Sequence, residues 1–313
     1  MKTSITSIAK IAGGLTLMAA SSVAMASVTN TPHNLSAGQT GGSHMTGAGA
    51  TTEICIFCHT PHGGNQATAA PIWNRSVSST SVYTRFSSMG RITFDADEAP
   101  VGSVSIACLS CDDGTQARDA VINGPGSGNN GNKVGGGTWL DGTTASTAYL
   151  SDLSASDNGT LSGDLIYLGT DLRNDHPISM QYGGGGLSLT TTGGATRDPD
   201  FAQYTASAGG YGSTAPNHAG AGTTAGNPGT TPGIATGAVK YLASKTAWYI
   251  DTGTAGYQGT DFPLYTRTDG PVATAQPYVE CATCHDPHSS NSTFLRLPGG
   301  NTGSQVCLTC HAK

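Results

Sequence analysis

All eight cysteines of this chain fall into four Cys-x-x-Cys pairs: Cys55/Cys58, Cys108/Cys111, Cys281/Cys284 and Cys307/Cys310. Three pairs are followed at once by histidine, in "CIFCH", "CATCH" and "CLTCH". Disulfides of such adjacent spacing would staple a long chain poorly. A Cys₄ zinc site needs no histidine after each pair. Covalent haem attachment needs this arrangement: two thiols bond the two vinyl groups, and the next imidazole reaches the iron from the same face. The pattern therefore predicts four covalently bound haem c groups, with His59, His285 and His311 as proximal iron ligands. The remaining motif, "CLSCDDG", puts Asp112 where the others put histidine.

Composition points the same way. Glycine makes up 45 of 313 residues, charged residues 11% and aromatic residues 6%. Such a chain has few large apolar side chains with which to fill an ordinary core. Haem macrocycles, large and mostly apolar, would supply the missing mass. The expected fold class is mostly coil, with a few short helices and minimal strand, wrapped around a chain of haems.

Residues 1–26 read as a secretory signal peptide. Lys2 and Lys10 flank the start of a short apolar run that ends in "AMA" before Ser27. No later stretch approaches about 18 consecutive apolar residues, so no membrane span is expected. The formal net charge is −6 and no basic residues cluster, which argues against nucleic acid as a partner. Residues 27–313 are expected to form a single tetrahaem domain. It comprises an N-terminal two-haem block (27–125), a Gly/Ser/Thr-rich wrapping region (126–275) and a C-terminal two-haem block (276–313). Short helices are expected at Thr115–Ile122 and Gly237–Ile250, and brief strands at Leu165–Gly169 and Gly186–Thr192.

Nine histidines are present, and six do not follow a cysteine pair: His33, His44, His62, His176, His218 and His288. His62 and His288 each lie three residues after a proximal histidine, in "CHTPH" and "CHDPH". Three residues span at most about 11 Å, and the proline stiffens the link. Neither ring wraps easily to the far face of its own iron, so each is expected to ligate an adjacent haem. His176, flanked by Asp175 and Pro177, is expected as a further distal ligand. His33 and His44, near the mature N-terminus, are distal candidates; His218 is the weakest.

The segments "HNLS", "TTEICIFCHTPHG", "APIWNR", "LGTDLRNDHPIS" and "CATCHDPHSSNSTFLRLP" resemble the doubled Cys-x-x-Cys-His family of multihaem c-type cytochromes. Within it they are most similar to four-haem outer-surface cytochromes of metal-reducing bacteria, the OmcE type, which polymerise into extracellular filaments. The resemblance implies a coil-rich fold, a continuous haem chain with bis-histidine iron, and head-to-tail subunits in which an N-terminal histidine ligates a neighbour's haem. Asp112 departs from that pattern. Its iron is left to Asp112 itself, to a spare histidine such as His218, or to an open position.

The function expected is extracellular electron transfer along a filament made of copies of this chain, linking redox donors to extracellular acceptors, with no substrate turned over. Two alternatives stand beside it. One is a monomeric periplasmic electron shuttle. The other is a multihaem reductase whose reactive iron sits at Cys108/Cys111.

Overall fold

The structure, a computed structural model, describes residues 28–39, 43–78, 82–90, 95–126, 134, 136–141, 144–146, 148–149, 167–187, 196–204, 237–252, 257–271 and 274–311. The signal-peptide segment, His218, Leu165, Ile166 and residues 188–192 lie outside them; the described parts of the two stretches expected as brief strands, 167–169 and 186–187, are not strand.

Regular structure is short, and the helices coincide with the cysteine pairs. Helix α1 (Ser105–Asp112) carries Cys108 and Cys111, α2 (Cys281–Cys284) is one pair itself, and α3 (Gln305–Cys310) carries Cys307 and Cys310. The first pair opens a 3₁₀ turn, Cys55–Phe57.

The strands form two antiparallel sheets, more strand than the sequence leads one to expect. One contains β1 (Ser43–Thr46), β2 (Thr138–Asp141) and β3 (Thr144–Ser146) in that order. The other contains β4 (Met180–Gln181), β5 (Ala238–Leu242), β6 (Ala247–Asp251), β7 (Phe262–Arg267) and β8 (Gln276–Val279), in the order β4-β8-β7-β6-β5. Strands β5 and β6 replace the helix expected over Gly237–Ile250. They form a hairpin in which Tyr241 faces Trp248 and Val239 faces Ile250. Aromatic and β-branched residues fit a pleated, half-buried surface better than a helix turn. The helix expected at Thr115–Ile122 is also absent. Asp113 caps α1, and its carboxylate accepts from the Thr115 amide at 2.8 Å. Such a side-chain bond turns the chain out of the helix.

Among the described residues three apolar clusters take the place of one large core, and two of them pack on cysteines. Leu35, Met45, Phe57, Val121, Val134 and Trp139 lie against Cys58. Tyr83, Val101, Ile106, Leu109 and Leu172 surround the inner face of α1. Trp248, Ile250, Phe262, Leu264 and Val279 from the larger sheet gather with Cys310 and Cys284.

Glu280 joins the second and third pairs. Its side chain is fully buried and pairs with Arg267 at 2.8 Å. It also accepts from Ser105 Oγ at the start of α1 (2.6 Å) and from Ser179 Oγ (3.2 Å). With Thr283 it closes a capping box on α2. One carboxylate therefore holds α1, β7 and α2 together.

Candidate haem sites

The first and third cysteine pairs share one local construction. After the pair the chain enters extended backbone, and the histidine makes an antiparallel bridge to a returning segment: His59 to Trp73, His285 to Leu295. The second cysteine's carbonyl accepts from the residue after the bridge partner, Asn74 at 2.8 Å and Arg296 at 2.9 Å. Two residues before each bridge partner, a carbonyl accepts from the histidine's Nδ1: Pro71 for His59 and Thr293 for His285, both at 2.9 Å. Left-handed backbone turns that carbonyl inward, with φ +46° at Ile72, +53° at Thr293 and +57° at Phe294. A β-branched residue in that region is strained by about 1–3 kcal/mol, so the surroundings must impose it. Asn65 and Asn291 occupy the same place, three residues after the second histidine. Their side-chain amides donate to Arg75 and Leu295 carbonyls at 2.9 and 2.8 Å.

This clamp decides a tautomer. A carbonyl only accepts, so Nδ1 carries the proton and Nε2 keeps its lone pair. That is how a metal-binding histidine is oriented by the groups around it. His176 is held the same way, Nδ1 to the Pro177 carbonyl at 3.0 Å. With two free thiols beside each clamped ring, the residues of the first and third sites fit a haem.

Histidines from both ends of the chain converge. The rings of His59 and His288 lie with centroids 6.1 Å apart and planes within 15° of parallel. Two imidazoles on opposite faces of one iron, each bonded at about 2 Å, would have centroids about 6 Å apart with their nitrogens turned toward each other; the two rings here match that spacing and are stacked. His288 is in turn held by Asp286, whose Oδ1 lies 3.4 Å from its Nδ1 and raises its pKa. His33 packs on Phe294 at 3.9 Å between centroids. Burial pushes its pKa down to about 4, the Pro287 carbonyl opposing, with His288 and His285 adding to the depression. Burial likewise lowers His285, with a smaller contribution from His176.

The fourth site bridges differently. His311 pairs with Phe201, their rings 4.4 Å apart. Elsewhere, His62 is exposed, with its carbonyl accepting from the Thr60 hydroxyl and the Asn123 amide. His44 is buried on β1, opposite Leu140.

At the second site Asp112 stays in helical backbone. Its neighbour Asp113 takes the local hydrogen bonds, from Tyr83 Oη (2.6 Å) and from the amide and hydroxyl of Thr115. Burial pushes the Asp112 carboxyl up to about 7, while Arg75 pulls it down. Arg75, itself buried, donates to the Ser110, Ala117 and Arg118 carbonyls.

Neighbouring cysteine pairs act on one another in sequence order. Cys58 and Cys111 raise one site's thiol against the other's, Cys108 shares a hydrogen bond with Cys281, and Cys284 acts on Cys310. Burial pushes Cys58 and Cys284 up to about 12, so both stay thiols at neutral pH. Among the described residues no cluster of three or more His, Cys, Asp or Glu side chains is gathered around a bare metal position. Nor is any helix there long and apolar enough to cross a membrane.

Several of these residues escaped the sequence reading: the clamp carbonyls of Pro71 and Thr293, Asn65 and Asn291, Asp286 and Glu280. The repeated Asn at the same offset in "CHTPHGGN" and "CHDPHSSN" was the available signal.

No curated protein matches this chain. Residues 270–313 match the family model for the doubled CXXCH motif. Its motifs indicate covalently bound haem c, and the match supports reading this chain as a multihaem c-type cytochrome of electron transfer.

Proposed function

We propose that the mature chain is an exported tetrahaem c-type cytochrome, mostly coil wrapped around its haems, that passes electrons along a row of four haems and polymerises head to tail into an extracellular filament. The observation that carries the electron-transfer reading is the His59–His288 pair. Were one iron to take a nitrogen from each ring, it would have no position left for substrate, and the two ends of the chain would share one cofactor. The succession of cysteine pairs near enough to act electrostatically on one another supports closely spaced haems.

The filament rests on the resemblance of the motifs. That resemblance implies a histidine near the N-terminus reaching into the next copy. His33 lies against its own chain's Pro287 and His44 is buried on β1, so separate alanine variants of the two are the informative pair.

The test is secreted material. Intact mass after removal of residues 1–26 is expected to show four haems, and cryo-electron microscopy is expected to show filaments. A fully loaded species that stays at monomer mass on size exclusion would replace the filament with a soluble shuttle. Fewer than two haems would end the multihaem reading.

A further inference from the structure

We propose that the iron held by Cys108 and Cys111 has no protein nitrogen on its attachment side and takes a small exogenous ligand there, of the class of carbon monoxide, cyanide or imidazole. The inference rests on the reading that this pair carries a haem.

The local geometry sets this site apart from its three counterparts. His285 and His311 close their helices in extended backbone, at φ −105°, ψ 143° and φ −102°, ψ 134°. Helix α1 instead runs through Asp112 and is closed one residue later by Asp113, at φ −75°, ψ −7°. The histidines at the other three sites each form a β-bridge. Asp112 forms none; its carbonyl accepts from the Leu168 amide at 2.8 Å. The returning segment that clamps His59 and His285 thus has no equivalent here.

Nor does the side chain replace the clamp. A carboxylate oxygen sits one bond closer to the backbone than an imidazole Nε2, so it falls short of where the other sites place their donor. Among the described residues no hydrogen bond fixes the Asp112 carboxylate; the nearby donors are committed to Asp113. An axial ligand with no orienting partner is weak.

The described imidazoles are placed elsewhere. His59 and His288 face each other, and His33 and His176 lie near His285. His311 lies against Phe201, their rings tilted to one another. The charged groups that bear on Asp112 are Arg75 and Asp113, and neither brings a nitrogen ligand. His62, exposed after the first pair, remains for the opposite face. Among the described residues, that leaves this iron with one axial nitrogen and one open position.

The experiment uses the holoprotein. Intact mass first counts the haems, and the dithionite-reduced protein is then titrated with carbon monoxide. The expected result is four haems and one carbon monoxide bound per chain, with the Asp112→His variant losing that uptake and becoming fully low-spin. If Asp112→His fails to fold, a Cys108→Ser/Cys111→Ser variant should lose one haem together with the uptake. Four haems with no uptake would overturn the open site and leave the electron-transfer reading standing. Uptake that persists undiminished in a folded Asp112→His variant would overturn it too. Three haems by mass would show that the site holds no iron, which defeats this inference but not the other three sites.

Discussion

The imidazole of His288 lies parallel to that of His59, 6.1 Å away, although the two residues come from opposite ends of the chain. Neither ring is placed by its own cysteine pair alone. His59 is fixed by the Pro71 carbonyl and the Trp73 bridge, and His288 by Asp286. A single iron between them would serve as a cross-link.

Replacing His288 with alanine should therefore change the haem at Cys55/Cys58 rather than the one at Cys281/Cys284. One haem of the set is expected to become high-spin and to gain carbon monoxide reactivity. In a background lacking Cys55 and Cys58, the same substitution should add no further spectral change. A second change there would place His288 on another iron.

Glu280 offers a test of architecture. Removing it leaves Arg267, which is 4% exposed, with only Asp269 and the Pro100 carbonyl. Leaving one partner of a buried ion pair costs about 3–5 kcal/mol. Glu280→Ala should lower the melting temperature sharply and loosen the contact between α1 and α2, whereas Glu280→Gln, still able to meet Ser105, should do less harm. Equal melting temperatures for Glu280→Ala and the parent would show that the network contributes nothing.

His33, where it binds no iron, predicts an acid limb. Its pKa is lowered from 6.5 to about 4, chiefly by burial. Above pH 6.5 the ring is neutral in folded and unfolded chains alike, and its contribution is fully present. As pH falls from 6.5 toward 4, the unfolded chain takes up the proton first and stability is lost, by at most about 3 kcal/mol. His33→Phe keeps a ring against Phe294, so its melting temperature should fall less between about pH 7 and pH 4.5.

Gly64 probes the clamp around His59. A Cβ there would lie 2.7 Å from the Ile72 carbonyl carbon, which is backbone and yields little. Gly64→Ala should cost about 1–3 kcal/mol and weaken the His59 bond, seen as partial high-spin character in one haem. Gly259→Ala, which meets nothing within 4 Å, should be near neutral, and equal effects of the two would refute the close approach.

The cysteine and proximal-histidine pattern was legible because covalent chemistry fixes spacing in the sequence itself. The expectation that His288 ligates a haem other than its own needed only the reach of three residues, and the structure adds that its ring lies 6.1 Å from that of His59. The hairpin of β5 and β6 was not legible: Val239, Leu242 and Trp248 fit a helical stripe as well as they fit alternation, and only pairing with β7 settles it. The clamp was hidden for a different reason. Its working atoms are the carbonyls of Pro71 and Thr293, and backbone atoms leave no letter in a sequence. Glu280 read as one acidic residue among twenty, because burial against Arg267 depends on strands far from it in the chain.

The twin clamps at His59 and His285 carry a consequence for direction. Axial ligand, hydrogen bonding and solvent exposure are the protein's means of setting a haem's reduction potential. At these two sites the ligand is the same imidazole, polarised by a carbonyl at the same 2.9 Å. In a haem-loaded chain the ligand and its hydrogen bond would then be matched, leaving burial and macrocycle distortion to separate the irons. An electron moving between them would meet no slope from either matched group, and any direction along that stretch of chain would come from how deeply each haem is buried.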